Sequence, residues 1–268
     1  MNNGENNVLK KQPSFITFSG IDDRTDLVRA KELSSRFPIE FGLLFSESNK
    51  DSRYPSKQGA SEIVKAGLPL SAHMCGNLSK SAGQHTPIFG PFDRELFSEF
   101  RRVQFNGLDE SSFLNAVELY AMRLMLTKNT RFIFQCRFTD GFHDSYVKLV
   151  SYERQLKDII DQNFRLMGIT SLGLDILCDT SGGKGIFPSG FPKHPPDYVR
   201  NIGYAGGITP ENVEEFISKI DCTETDIFYI DMETGIRTDG WFDLDKVEAI
   251  CEKVFSQDKF YVYKETKK

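Results

Sequence analysis

The hydrophobic positions of the chain follow two alternating patterns almost to its end. Short runs rich in β-branched and aromatic residues, bounded by Gly, Asp or Asn, are typical of β-strands. Between them, apolar residues recur at spacings of three and four, which is typical of amphipathic helices. The strand pattern occurs in eight segments: 14–20, 39–47, 69–76, 101–107, 131–138, 172–180, 201–208 and 226–233.

Helical spacing is found in the segments 26–37, 109–125, 145–167, 209–220 and 243–255. The fourth of these begins with Thr209 as the expected N-cap and Pro210 at the first helical position. Asp109 and Asp144 are likewise interpreted as helix caps. The Gly- and Pro-rich region 77–93 predicts only a short helix before the fourth strand.

Strands that alternate with helices in this way predict a single α/β domain, a closed (β/α)8 TIM barrel. A doubly wound open sheet is the alternative that the same alternation allows. Residues 13–257 are expected to form the barrel. Residues 1–12 are expected to be a flexible N-terminal tail, and residues 258–268 a C-terminal tail.

Composition excludes several classes of protein. Hydrophobic residues make up 39% of the 268 residues and charged residues 26%, which is enough to build a core and argues against disorder. The net charge of −5 argues against a nucleic-acid partner. No apolar run reaches the roughly 18 residues that span a bilayer, so no membrane partner is expected.

The cysteines and histidines point to a cytoplasmic protein without a metal. The five cysteines are odd in number and form no CxxC pair, which fits reduced thiols better than a disulfide framework or a zinc site. His85, His143 and His194 have no ligand spacing. We therefore expect no metal and no cofactor.

Polar residues gather where the predicted strands end. In such barrels the chemistry lies at the carboxyl ends of the strands, and residues two apart share one face of a strand. Each residue also has a structural interpretation: His73 as a hydrogen-bonded core histidine, Cys75 as a small apolar side chain. The residues at these ends are Thr17, Ser19, Glu47, His73, Cys75, Gln104, Asn106, Gln135, Arg137, Asp175, Asp179, Asp231 and Glu233.

Glycine turns follow the last three strands. Gly206–Gly207 and Gly235 each lead from a strand toward a helix, and backbone N–H groups exposed at such turns form an anion cradle. In TIM barrels the phosphate site commonly uses the loops after strands seven and eight. The alternative is tight turns that need glycine. Gly183, in a loop after the sixth strand, is expected to help bind the phosphate, and this loop with Lys184 is interpreted as a lid over the anion.

These segments resemble, in order along the chain, phosphoribosylanthranilate isomerase, the barrel isomerase of tryptophan biosynthesis. "FSGI" resembles the first-strand Cys-Gly-Ile of that family, and "FGLLFSESNKDSRYPS" its second strand and Ser-Arg-Tyr loop. "VQFNG" is similar to Val-Gln-Leu-His-Gly of the fourth strand. "ILCDTSGGKG", "YAGGITPENV" and "IDMETGI" resemble the sixth, seventh and eighth strands with their loops.

The resemblance implies an Amadori rearrangement, in which an aminoaldose opens its ring and becomes an aminoketose. A sixth-strand aspartate is the general acid of that family, and it falls on Asp179. The substrate-holding arginine falls on Arg53. The first-strand cysteine, the general base, falls on Ser19. The phosphate cradle falls on Gly206, Gly207, Thr234 and Gly235.

Ser19 departs from the family pattern, because a serine hydroxyl has no useful basicity near neutral pH unless another base activates it. The family's fourth-strand histidine is Asn106 here. Cys75 and His73 are therefore the first candidates for a relocated base, and Asp231 is the third if its carboxyl group is desolvated.

Two functions follow from these residues. The first is acid–base isomerisation of a small phosphorylated, sugar-type substrate, which can differ from phosphoribosylanthranilate, by a monomer or a homodimer. Its substrate-binding residues would be Arg53, Gln104, Asn106, Arg137, Lys184 and Asp231. The alternative is a catalytically inactive relative that binds a phosphorylated metabolite or a protein partner. An aldol or lyase reaction is a weaker idea, since no strand end offers a Schiff-base lysine.

Overall fold

Eight parallel strands close into a barrel in chain order, each strand bonded to its neighbours in the sequence and the last to the first. The computed structural model describes residues 11–48, 51–83, 99–124, 130–136, 173–179, 185–191, 201–222 and 226–255. The strands are β1 (Phe15–Ser19), β2 (Ile39–Phe45), β3 (Leu70–Met74), β4 (Arg102–Phe105), β5 (Arg131–Cys136), β6 (Gly173–Asp179), β7 (Ile202–Ala205) and β8 (Phe228–Met232). The predicted TIM barrel is confirmed, and closure excludes the open sheet.

The join between the first and last strands sets the level of the site. On one side of β1, Ser19 is in register with Gly42 of β2. On the other side, Thr17 is in register with Asp231 of β8. Ser19 thus lies at the carboxyl end of β1, two residues beyond the Thr17 that is in register with Asp231.

Six helices are described, and most agree with the sequence pattern. Asp26 caps the first by accepting from the N–H groups of Val28 and Arg29, and Asp109 accepts from the N–H of Ser112 as predicted. The helix between β2 and β3 was not predicted. Asp144 and segment 145–167 lie outside the described residues. The helices are α1 (Leu27–Arg36), α2 (Lys57–Lys65), α3 (Asn77–Gly83), α4 (Glu110–Leu124), α5 (Val213–Ser218) and α6 (Leu244–Phe255).

The predicted N-cap of α5 was wrong. The helix begins at Val213 with Asn212 as its N-cap, so Pro210 is not its first residue. Thr209 instead opens the preceding turn: its hydroxyl accepts from the N–H of Glu211, and the side chain of Asn212 accepts from the N–H of Thr209. The side chains of Thr209 and Asn212 thus stabilise a turn that precedes the helix, and α5 begins three residues later than predicted.

The lower half of the barrel interior is charged rather than apolar. Arg102 on β4 contacts Glu40 at 3.0 Å and Asp175 at 3.1 Å, and both of these carboxylates are buried. Thr17 donates to Glu40, and Arg131 also pairs with Asp175. Thr17 and Asp175, which were expected at the rim, therefore lie within this network beneath the site.

A short hairpin that the sequence analysis missed follows β8. A 3-10 turn (Thr234–Ile236) leads into β9 (Arg237–Thr238) and β10 (Trp241–Phe242), which pair antiparallel. Asp239 and Gly240 between them both have positive φ, 51° and 80°, as a two-residue hairpin turn requires.

Among the described residues, no helix is both long and apolar enough to cross a membrane.

Candidate active site

One pocket opens at the carboxyl end of the barrel and brings most of the predicted site residues together. It is formed by the ends of β1 and of β3 to β8 and by the loops that follow β6, β7 and β8. Its lining includes Ser19, His73, Gln104, Asn106, Gln135, Leu177, Asp179, Gly185, Ala205, Gly206, Gly207, Ile208, Asp231, Met232, Glu233, Thr234 and Gly235.

A buried hydrogen bond joins the first and last strands in this pocket. The hydroxyl of Ser19 donates to Oδ1 of Asp231 at 2.7 Å, and the two residues are only 3% and 6% exposed. Desolvation by burial raises the pKa of Asp231 to about 7, against the opposing effects of the Ser19 hydrogen bond and of Arg102. Asp231 is therefore a carboxyl group that can exchange a proton near neutral pH.

His73 lies beside Ser19 because β2 carries a glycine between them. A Cβ at Gly42 would lie 2.6 Å from Oγ of Ser19 and 2.9 Å from Nε2 of His73. Nε2 of His73 is also 3.1 Å from the hydroxyl of Ser71. Burial lowers the pKa of His73 to about 3, so its imidazole is neutral at physiological pH.

Cys75 is not among the residues that line the pocket. Its Sγ accepts from Nδ2 of Asn106 at 3.2 Å, which places it next to a lining residue. Burial raises the pKa of the Cys75 thiol to about 12. The thiolate that a cysteine base requires is therefore scarce at neutral pH.

Asp179, the predicted general acid, ends β6 and is 4% exposed. Nε2 of Gln135 on the neighbouring strand donates to its Oδ2 at 2.8 Å. The register of β6 with β7 sets Asp179 opposite Ala205, directly before Gly206. The carboxyl group therefore lies next to one of the glycine turns.

Three glycine turns pack against one another at the other side of the pocket. Gly207 has φ +59°, and a Cβ there would lie 2.5 Å from the backbone nitrogen of Phe187. A Cβ at Gly235 would clash with the carbonyl of Ile208, and one at Gly185 would contact Thr234. Close backbone approach, and not only turn geometry, requires glycine here.

Arg53 lies at the edge of the site in an ion-pair chain. It contacts Asp51 at 2.8 Å and Glu233 at 3.0 Å, and its side chain is 39% exposed. The hydrogen bond with Asp51 is the largest effect that raises the pKa of Arg53. Burial raises the pKa of Glu233, and the Arg53 charge opposes this rise.

The loop after β1 is fixed by Arg237 of the hairpin. Its guanidinium donates to the carbonyl of Gly20 at 2.8 Å and to Asp22, also at 2.8 Å. The buried Asp22 carboxylate accepts a further bond from the N–H of Phe242. The turn that follows Ser19 is therefore held by the segment that follows Asp231.

The sequence analysis missed the roles of Gly42, Arg237 and Glu233. A glycine inside a strand run signals close approach of another group, and an Asp-Gly pair between two short β segments signals a hairpin. Arg137, Gly183 and Lys184 lie outside the described residues. No cluster of three potential metal ligands occurs within the part of the chain that the structure describes.

Comparison with known proteins supports one family. Residues 176–253 match the family model of N-(5'phosphoribosyl)anthranilate (PRA) isomerase. This stretch contains the end of β6, all of β7 and β8, and the loops that follow them, including Asp179, the glycine turns and Asp231. No curated protein sequence matches the chain significantly.

Solved structures of such isomerases share the fold over nearly the whole chain. The enzyme from Pyrococcus furiosus covers 91% of this chain and 99% of its own, with a TM-score of 0.53 and 14% identity. The Thermococcus kodakaraensis enzyme covers 91% and 100%, with a TM-score of 0.52 and 19% identity. The Thermus thermophilus enzyme covers 90% and 98%, with a TM-score of 0.51 and 14% identity.

At these identities the solved structures show the barrel fold alone. The match to the family model covers less than a third of the chain, from the end of β6 into α6, and this stretch includes the loops after β7 and β8 that line the pocket. The family resemblance drawn from the sequence is confirmed for this stretch: residues 176–253 match the phosphoribosylanthranilate isomerase family, and the chain shares its barrel fold with the solved isomerases.

Proposed function

We propose that the chain catalyses the aldose–ketose isomerisation of a phosphorylated, sugar-type N-glycoside, with Asp179 as general acid and Asp231 as general base. The observation that carries the proposal is the shared pocket: both buried carboxyl groups line it together with the glycine turns after β6, β7 and β8. Paired carboxyl groups in one site suit acid and base roles when their environments differ.

The reaction divides into proton transfers that these groups can make. Asp179 protonates the ring oxygen, the C1–O bond breaks, and C1 becomes an iminium carbon. Asp231 then removes the proton from C2, the electron pair of the C2–H bond forms the C1–C2 double bond, and the π pair of the C1–N double bond returns to nitrogen. Movement of the C2 hydroxyl proton to C1 completes the aminoketose. The glycine turns, with Thr234, hold the phosphate and fix C2 against Asp231.

Asp231 is the best of the candidate bases because its pKa matches the task. A general base is most effective when its pKa lies near the working pH, and Asp231 has a pKa of about 7. The Cys75 thiol has a pKa of about 12, and His73 has a pKa of about 3. Ser19 supports the base by donating its hydroxyl to the carboxylate.

The native substrate is proposed to differ from phosphoribosylanthranilate in its non-phosphate half. Asn106 stands at the position where the family pattern has histidine, and it lines the pocket beside Gln104. The inactive binding relative, which was the alternative, was motivated by the missing cysteine base. The carboxyl group of Asp231, which is hydrogen-bonded to Ser19, can serve as the base instead, so the missing cysteine no longer argues for an inactive protein.

Turnover of a panel of phosphoribosyl N-glycosides tests the proposal. We expect Asp179→Asn and Asp231→Asn each to lower kcat by about 100- to 10,000-fold, as removal of a general acid or base does. Asp221→Asn, an exposed carboxylate, is the matched control and should change nothing. Unchanged turnover in either variant excludes that residue's role. Tight calorimetric binding without turnover by the unmodified protein would favour the binding-only alternative.

A further inference from the structure

Three carboxamide side chains form one wall of the pocket. Gln104 and Asn106 come from the end of β4, and Gln135 comes from β5. The glycine turns belong to the loops after β6, β7 and β8. The carboxamide wall (Gln104, Asn106 and Gln135) therefore faces the part of a ligand that is not its phosphate.

The hydrogen bonds of this wall run in one direction. Nε2 of Gln104 donates to Oδ1 of Asn106 at 2.7 Å, and Nδ2 of Asn106 donates to Sγ of Cys75 at 3.2 Å. Nε2 of Gln135 donates to Asp179. Cys75 donates its thiol proton to the carbonyl of His73, so its Sγ can only accept from Asn106, and reversal of one or both amides would oppose two donors or two acceptors.

The chain of hydrogen bonds leaves one acceptor at its beginning. Oε1 of Gln104 is buried and has no hydrogen-bond partner among the described residues, in a side chain that is 2% exposed. A buried acceptor without a partner costs about 1–3 kcal/mol, which a ligand donor recovers on binding. The empty acceptor therefore favours a ligand that carries an N–H group.

The acidic side chains around the pocket also favour a ligand that donates hydrogen bonds. Asp179, Asp231 and Glu233 are acidic, and the described residues that line the pocket include no lysine or arginine. Arg53 at the edge is paired with Asp51 and Glu233. A donor on the ligand meets acceptors on this wall, whereas a second anionic group there meets like charge.

We propose that the non-phosphate half of the substrate carries a carboxamide group whose N–H donates to Oε1 of Gln104. Gln104 is then a specificity-determining residue for a hydrogen-bond-donating substrate. The inference rests on the proposed function, because it assigns the substrate class of the same pocket.

Two matched probes test the inference in the unmodified protein. They are the N-(5-phosphoribosyl) adducts of 2-aminobenzoate and of 2-aminobenzamide, which have nearly the same size and differ in a carboxylate and a carboxamide. We expect kcat/KM for the carboxamide to be at least tenfold higher. Calorimetric Kd values with Asp231→Asn, which blocks turnover, should show the same order.

Variants of Gln104 then assign the preference to one residue. Gln104→Met removes the acceptor at similar length, and we expect a loss of about tenfold for the carboxamide and less than twofold for the carboxylate. Gln104→Glu keeps an acceptor and should retain the carboxamide preference. Gln58→Met on the exposed face of α2 is the matched control. Thermal unfolding of each variant verifies that it folds.

The outcomes separate this inference from the proposed function. Equal turnover of the two probes, or a preference for the carboxylate, overturns the inference and leaves the isomerase function standing. A carboxamide preference that survives Gln104→Met overturns the role of Gln104. If neither probe binds and ribose 5-phosphate does not bind either, both the proposed function and the inference are overturned.

Discussion

The hydroxyl of Ser19 donates a 2.7 Å hydrogen bond to Oδ1 of Asp231, across the join between the first and last strands of the barrel. A bond of this kind stabilises the ionised carboxylate, while burial of Asp231 disfavours it. The balance leaves the pKa of Asp231 near 7. The position that resembles the family's cysteine base thus serves, in our proposal, to orient and tune a neighbouring carboxylate.

The pH dependence of kcat/KM should report Asp231. Because a general base acts only when it is deprotonated, activity should rise with pH and level off above about 7. Below that pH it should fall by about tenfold per unit. Initial rates between pH 5 and 9 measure this limb. A profile that is flat between pH 5 and 7, with the native rate retained in Asp231→Asn, would contradict the assignment.

Ser19→Ala should move this limb rather than abolish activity. The Ser19 hydrogen bond lowers the pKa of Asp231 against desolvation, so its removal should shift the limb to higher pH. We expect a loss of less than tenfold at pH 9 and a larger loss at pH 7. Ser19→Cys is the matched variant of similar size. If that variant alone turned over phosphoribosylanthranilate, the native reaction would be a different one on the same scaffold.

Stability should also depend on the protonation of Asp231. Its folded pKa of about 7 lies above the ordinary aspartate value of 3.8, so the folded state binds more protons between those values and stability falls as pH rises toward 7. Asp231→Asn should therefore match the unmodified protein near pH 4 and exceed its unfolding free energy by a few kcal/mol at pH 8, since one pKa unit is about 1.4 kcal/mol. Urea unfolding at both pH values measures the difference, and an Asn variant that is less stable at pH 8 speaks against it.

Gly42→Ala should damage the site without touching a reacting group. The new Cβ would lie 2.6 Å from Oγ of Ser19 and 2.9 Å from Nε2 of His73, so one of these side chains must move. Displacement by about 1 Å costs up to about 100-fold in rate. Gly190→Ala is the control, because a Cβ there meets nothing within 4 Å. Equal kcat/KM for the two variants would mean that the Ser19–His73 arrangement does not matter.

The buried charges beneath the site should matter for folding far more than the charges on the surface. Arg102→Met leaves Glu40 and Asp175 without their shared cation in the interior, and loss of one partner of a buried ion pair costs about 3–5 kcal/mol. Arg29→Ala removes contacts between α1 and α6 that are substantially exposed, and should cost about 1 kcal/mol or less. Chemical denaturation of both variants compares the two losses, and similar values would contradict the buried network's role.

The strand order and the pocket's main residues could be predicted because they depend on local patterns. Each apolar run ended at a turn residue, and the barrel rule then placed Asp179, the glycine turns and Asp231 at one end. Helix α2 was missed because its run contains Gly59 and few apolar positions, with Ala60 and Ile63 providing its buried side. The hairpin signal of Asp239–Gly240 was present in the sequence but was not used.

The choice of base could not be predicted in this way. It depends on how deeply Asp231 is desolvated and on which strand lies next to it, and both follow from barrel closure. The position of Thr17 and Asp175 beneath the site, rather than at the rim, likewise depends on the stagger between neighbouring strands. The sequence of a single strand does not reveal this stagger. The direction of the carboxamide hydrogen bonds at Gln104 is set by its three-dimensional neighbours, so the strand pattern predicted polar residues at these strand ends but not an unpaired acceptor.

The clamp of Arg237 on Gly20 and Asp22 has a consequence for how activity is acquired. It joins the loop after the first strand to the segment that follows the last strand. A nascent chain that has been synthesised only as far as β7 already contains Asp179 but still lacks Asp231, which lies on β8. If the proposed function is correct, turnover can begin during synthesis or refolding only after β8 has joined β1, so the onset of activity would report the last step of barrel closure.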